Sequence, residues 1–246
     1  MSRCAGHRTP KFFAVSGGIA QFPLANPPEQ FKFTTNQKNI MRKIKIHLFL
    51  AVTLLLSVSG LHAQKMKLES GSLDFLKGVT ALNVEYGYDG MMVGKLTEPA
   101  YIEGKVAEYN KKEAGKGDQW LKAWQANPAT RFQPKFEELL NKQFTERKVA
   151  LKAGADPAAK YTLILKTTLM EPGWNAGIAR HDAEISATAT FVETQNRATE
   201  LAVISISKSP GRGGMGYDFD SGFRVQEAYA KAGKELGVFL CKKALK

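Results

Sequence analysis

The chain predicts an α+β domain: an antiparallel sheet of about four strands with helices packed mainly on one face. Three observations carry that prediction. Residues 161–170 alternate, placing Tyr161, Leu163, Leu165, Thr167 and Leu169 on one face. Residues 184–192 set Ile185, Ala187, Ala189 and Phe191 against Ser186, Thr188 and Thr190, and 200–207 returns as a third strand after a turn at 194–197. Phe136, Leu139, Leu140 and Phe144, and then Val225, Ala228, Tyr229, Ala232, Leu236, Phe239 and Leu240, form apolar stripes at helical spacing. Strands with one apolar and one polar face call for an antiparallel sheet covered on a single side.

The N-terminal part has its own logic. Met41-Arg-Lys-Ile-Lys45 is basic, residues 46–58 are a largely apolar run with one His, His47, and Ser59 and Ala63 supply small residues. That order is a secretory signal peptide with cleavage after Ala63. The apolar run falls short of the ~20 residues of a membrane span, so no stable span is expected after cleavage; an uncleaved anchor is the alternative. Residues 1–40 precede this signal and have no periodicity, which makes them a gene-model extension or a disordered leader. Residues 64–246 are then a single α+β domain, exported to the periplasm or outer envelope of a Gram-negative bacterium.

Charge and cysteine content narrow the function. The full chain carries +12, but residues 1–63 hold eight Lys/Arg and one acid, so the remainder carries only +5. That is a solvated surface rather than a polyanion-binding one, and no nucleic-acid partner is expected. Only Cys241 lies beyond residue 63, so no internal disulfide forms. It is a buried small residue or, alternatively, an intermolecular disulfide partner.

In order, 64–77 is a polar entry and 79–88 a strand, with Leu82, Val84 and Tyr86 alternating before the Asp89-Gly90 turn. Thr97-Glu-Pro99 opens a helix carrying Ile102, Val106 and Tyr109. Residues 118–124 form a short helix with Trp120 and Trp124 on one face, closed by Asn127-Pro128. The Phe136–Phe144 helix follows, then a loop marked by Gly154 and Asp156-Pro157. Residues 209–222 are a Gly-rich loop, and the last helix runs from about 223 to 244, with Lys242, Lys243 and Lys246 at its negative end.

No candidate chemistry forms a catalytic set. Gly211-Arg-Gly-Gly-Met-Gly216 matches G-x-G-x-x-G, but Pro210 breaks the strand-to-loop junction and no parallel strand follows the helix, so no nucleotide cofactor is expected. A surface loop, with Arg212 able to meet an anion, fits better. Asp218 and Asp220 lack the remaining positions of a calcium loop. His181 is the only histidine after residue 63, and with one Cys it cannot build the usual zinc site. Trp120, Trp124 and Trp174 offer faces for a sugar platform or cover for the sheet. The candidate binding residues are Trp174, His181, Arg212, Asp218 and Asp220; no catalytic residue, metal ligand or cofactor is expected.

The Phe136–Phe144 helix, the 161–170 strand, the 184–207 hairpin and the 224–240 helix together resemble a group of exported bacterial envelope proteins. These are similar to the small α+β domain at the amino terminus of the Tol-system translocation protein and in the curli-secretion lipoprotein. The resemblance covers roughly 82–240 and supplies no catalytic residue; the lipid-attachment Cys of the lipoprotein members is missing. The expectation is an exported, non-catalytic binding or assembly module with an envelope protein partner, met through a sheet edge or the Gly-rich loop. The alternative is a periplasmic hydrolase or carbohydrate-binding protein using the 171–182 and 209–222 loops.

Overall fold

The sheet is larger than the sequence predicts, and it is mixed. In the computed structural model, which describes residues 64–177, 179–212 and 220–245, eight strands join in one sheet. The signal peptide, the leader, Gly213–Gly216 and Asp218 lie outside the described residues. The described residues fall in one compact unit, Leu61–Lys246.

Strands β1 (Lys65–Gly71), β2 (Ala81–Gly87), β3 (Met92–Val93) and β4 (Leu96–Thr97) lead into helix α1 (Glu98–Lys112). Helices α2 (Lys116–Asn127) and α3 (Gln133–Glu146) precede β5 (Lys152–Gly154) and β6 (Tyr161–Glu171). A two-stranded ribbon, β7 (Trp174–Asn175) and β8 (Arg180–His181), comes before β9 (Ala183–Glu193), β10 (Asn196–Gly211) and helix α4 (Ser221–Lys243). The main sheet runs β1-β10-β9-β6-β2-β5, with β3 beside the end of β6 and β4 beside β3.

The antiparallel core is the predicted one: β6 pairs β9, and β9 pairs β10. The correction lies at the flanks. β2 runs parallel to β6, Leu82 facing Tyr161, and β5 runs parallel to β2. The physical reason is the connection: a strand that returns through three helices makes a crossover, and crossovers join parallel strands. The supposed polar entry is strand β1, antiparallel to β10. It lies at an edge: Met66 and Leu68 pack partly buried against the core while Lys65, Lys67 and Glu69 stay exposed, an alternation with only two apolar positions to mark it in the sequence.

Pro128 does not close α2. The chain stays helical through a π-turn, Pro128–Phe132, directly into α3. Pro128 and Pro134 each remove a backbone donor, and the wider turn takes up the mismatch. Gln133 N–H bonds the Pro128 carbonyl, and the Thr130 hydroxyl bonds the Ala126 carbonyl at 2.8 Å.

Helices α3 and α4 cover the apolar sheet face, burying Phe136, Leu140 and Phe144 from α3 and Leu236 and Leu240 from α4 against Leu163, Leu165 and Phe191. Each fully buried Leu or Phe contributes about 1.5–3 kcal/mol relative to exposure. The helices cross closely: a Cβ on Gly233 would lie 2.2 Å from the Phe136 carbonyl oxygen. Cys241 is buried in the same core. The sheet edges at β1 and β5 are blunted. β1 carries Lys65, Lys67 and Glu69 and a bulge between Leu68 and Ser70. At β5, Asn141 of α3 bonds both the N–H and the carbonyl of Ala153, at 2.8 and 2.7 Å.

One irregularity shapes the end of the sheet. β6 and β10 both shift register against β9 beside Ser186. Thr168 Oγ1 bonds the Ser186 carbonyl at 3.2 Å, and Lys208 N–H, from a residue at φ +53°, bonds Ser186 Oγ at 3.1 Å. The extra residues lie in β6 and β10, so each of these strands bends beside β9 and the local twist rises. Beyond them lie Glu171, Ala183 and Gly211, and with them Trp174, His181 and Arg212 of the candidate residues. Residues 209–211, predicted as loop, continue β10: β1 reaches only to Ser207, so Pro210 has a strand neighbour on one side alone, where a missing N–H is tolerated.

Candidate functional site

The end of β6, the start of β9, the end of β10 and the N-terminus of α4 all meet at one end of the sheet. Three charged contacts tie their connections together. Gly211, the first glycine of the G-x-G-x-x-G match, is a packing residue there: a Cβ on it would lie 2.0 Å from the Arg224 carbonyl oxygen.

The first contact is Arg224, in the first turns of α4 and 4% exposed. Its Nε donates to the Pro172 carbonyl at 3.2 Å and its Nη2 to the Gly173 carbonyl at 3.0 Å. A buried guanidinium is costly unless its donors are met, and main-chain carbonyls meet them here. Nearby, burial first and then the charges of Tyr109, Glu171 and Glu108 push the Tyr101 hydroxyl up to about 12, with Arg224 acting in the opposite sense.

The second contact joins the two predicted loops. Arg212 donates from Nη2 and Nε to Asp182 Oδ2 at 3.1 and 3.2 Å. Arg180 Nε lies 3.9 Å from the other oxygen of Asp182. These groups are substantially exposed, so the pairing contributes at most about 1 kcal/mol.

Between the first two contacts stands the β7–β8 ribbon, in which Trp174 faces His181 and Asn175 faces Arg180. Its turn is closed by the Ala176 N–H on the Ala179 carbonyl (2.9 Å) and the Gly177 N–H on Asn175 Oδ1 (2.8 Å). Trp174 is 51% exposed; Leu96 is the other large apolar residue exposed among the described residues.

The third contact is Asp220. Its Oδ1 accepts the Gly222 N–H at 2.8 Å and caps α4, and its Oδ2 accepts from Arg131 Nη1 at 2.6 Å. Partial burial raises the Asp220 pKa, but the Arg131 bond and charge and the N–H groups of Gly222 and Phe223 outweigh it, leaving the group below its usual value. Beside this pair lies a cavity of about 180 Å³, with Trp120, Trp124, Asn127 and Arg131 in its wall. Neither Trp174 nor His181 lines it.

Trp120 and Trp124 share a face as their spacing predicts, with ring centroids 5.4 Å apart and planes 29° apart. Tyr101 and Tyr109 of α1 pack on them, so aromatic rings hold the α1–α2 pair together. No residue of α1 is fully buried, and Trp124 Nε1 donates to Glu98 at 2.9 Å. On the other side of Trp124 and Phe132, Tyr88, Met91, Ile102 and Met170 line a second cavity of about 310 Å³.

Of the predicted site residues, Trp174 and His181 pair, Arg212 joins the same end through Asp182, and Asp220 belongs to the Arg131 cavity. Sequence reasoning missed Arg131, Asp182 and Arg224. Arg224 did carry a signal, because it precedes Ala228 and Ala232 at intervals of four and so lies on the buried stripe. Among the described residues no group of three or more His, Cys, Asp or Glu side chains is placed to hold a metal ion.

No family model matches the chain, and no curated protein sequence does. Among solved structures it is similar to the PelC dodecamer from Paraburkholderia phytofirmans, with a TM-score of 0.36 and 12% identity over 75% of this chain and all of that one. A variant PelC dodecamer from the same organism gives a TM-score of 0.33 and 11% identity, over 70% of this chain and 97% of that one.

Proposed function

We propose that the protein is an exported, non-catalytic binding or assembly module of the Gram-negative envelope, and that a protein partner docks on the β7–β8 ribbon. The observation that carries this is Trp174, half exposed on a ribbon whose base the buried Arg224 holds. A ribbon whose base is held presents its side chains from an ordered backbone, and Trp is prominent among interface anchors. Arg180 and Arg212 beside it select a partner with an apolar slot for the indole and an acidic rim. The blunted edges at β1 and β5 favour this ribbon over the sheet-edge route.

Export rests on the basic, apolar and small-residue order of 41–63. Among the described residues no helix is long and apolar enough to cross a membrane. The resemblance to small α+β envelope domains, carried by α3, β6, the β9–β10 hairpin and α4, belongs to the same proposal. The hydrolase alternative draws less support: His181 faces Trp174 on the ribbon, while both oxygens of Asp220 are engaged by Arg131 and Gly222.

Affinity purification of the tagged protein from envelope fractions, compared with its Trp174→Ala variant, tests this proposal. A reproducible envelope protein lost with the variant supports it. Equal recovery of every co-purifying protein by both forms, or turnover of ester or glycan substrates by the purified chain, overturns it.

A further inference from the structure

The cavity between α2 and the N-terminus of α4 has two unlike walls. One is apolar and aromatic, built from Trp120, Trp124, Phe132 and Val225. The other is polar, built from Asn127, Arg131 and Asp220. Gly222 lets these polar groups draw together: a Cβ there would lie 2.9 Å from Arg131 Nη1 and 3.0 Å from Asn127 Nδ2.

We propose that this cavity binds one neutral sugar ring of a glycan, its C–H face on the indoles and its hydroxyls on Asn127, Arg131 and Asp220. Charge selects the neutral form. Arg131 and Asp220 cancel one another at 2.6 Å. An anion is refused at the α4 N-terminus because the Asp220 carboxylate already occupies the place the helix dipole offers. A cation would have to sit beside Arg131.

The hydrogen-bond inventory suits vicinal hydroxyls, which donate and accept together. Asp220 retains free lone pairs after its two bonds, and Arg131 retains N–H donors after its single one. The Asn127 side-chain amide and the Trp120 indole N–H make no hydrogen bond among the described residues, so both remain to be satisfied by water or ligand. Size selects one ring: about 180 Å³ is smaller than the ~300–1,000 Å³ of sites for drug-sized ligands.

This site is separate from the Trp174 ribbon, so the two proposals fail independently. The test is titration of the purified full chain, followed by tryptophan fluorescence and by saturation-transfer NMR. The probes are neutral oligosaccharides of glucose, galactose, mannose and N-acetylglucosamine, set against oligogalacturonate and chitosan oligomers. At least one neutral series is expected to bind saturably, with weaker binding of both charged series. Asn127→Ala should weaken it about tenfold, the equivalent of one lost hydrogen bond, with an unchanged thermal midpoint. Trp120→Phe, which keeps a ring in the α1–α2 contact, should weaken binding and alter the fluorescence response. Absence of saturable binding by every neutral series to low millimolar concentration overturns the proposal. So does preference for a charged series, or binding that Asn127→Ala and Trp120→Phe leave unchanged.

Discussion

Arg224 donates from Nη2 to the carbonyl oxygen of Gly173 at 3.0 Å, across 51 residues of sequence. With the second bond, to Pro172, the final helix holds the base of the ribbon that displays Trp174. Truncation to Arg224→Ala strands two carbonyls in a buried place, each hydrogen bond to a charged group contributing about 1.5–3 kcal/mol. A loss of about 2–4 kcal/mol in chemical denaturation is expected. Amide hydrogen exchange should rise in 172–182 more than in the β9–β10 hairpin, a local effect that a general loss of packing would not give.

Gly233 fixes how closely α3 and α4 approach. In an exposed helix, Gly→Ala gains about 1 kcal/mol. Here the added methyl meets the Phe136 carbonyl, so Gly233→Ala should destabilise the protein by about 1–3 kcal/mol net. Lys234, one position on, is exposed and serves as the comparison site; Lys234→Ala should shift stability by less than about 0.5 kcal/mol.

Tyr229 carries a buried hydroxyl in the same core, 2.6 Å from Thr167 Oγ1, while its ring stacks on Phe132 at 5.1 Å. Removing one partner leaves the other unsatisfied, so Tyr229→Phe should cost about 1–3 kcal/mol. Thr167→Val combined with it should recover part of that loss, giving a coupling energy in a double-mutant cycle that two independent sites would not show.

The strands most regular in sequence, β6, β9 and β10, are where period-2 alternation meets a sheet buried on one face. That match made the antiparallel core legible, and the apolar stripes of α3 and α4 made its cover legible. β1 does alternate, Met66 and Leu68 against Lys65, Lys67 and Glu69, but two apolar positions are too few to separate a strand from a polar entry, and the three-residue β5 buries too little to impose a pattern. The parallel pairing of β2 with β6 was implied by the helices between them, although strand composition alone does not distinguish it. At the site, Trp174 and Asp220 could be singled out by residue type and loop position. Arg131 could not: its partner lies 89 residues away, and nothing local distinguishes it from a solvated arginine. The paired bulges beside Ser186 are likewise absent from any local signal, since they arise from pairing on both sides of β9.

Asp220 gives the site an acid limit. Its native pKa lies below the usual 3.8, so the unfolded chain takes up the proton first as pH falls. The contribution of the Arg131–Asp220 pair is complete above about pH 4 and is lost as pH falls below it. Asp220→Asn keeps a good helix cap but no charge. Its stability at neutral pH should be lower than wild type, and the gap should close in denaturant titrations as pH falls below the usual carboxylate range.

Trp174 is the residue at which a docked partner is expected. A photo-crosslinking amino acid at position 174, in cells exporting the protein, tests it directly, with exposed Lys122 on α2 as the comparison position. A discrete protein adduct is expected from position 174, absent from position 122 and reduced when Arg224→Ala loosens the ribbon. No adduct at 174, or the same adducts from both positions, would contradict it.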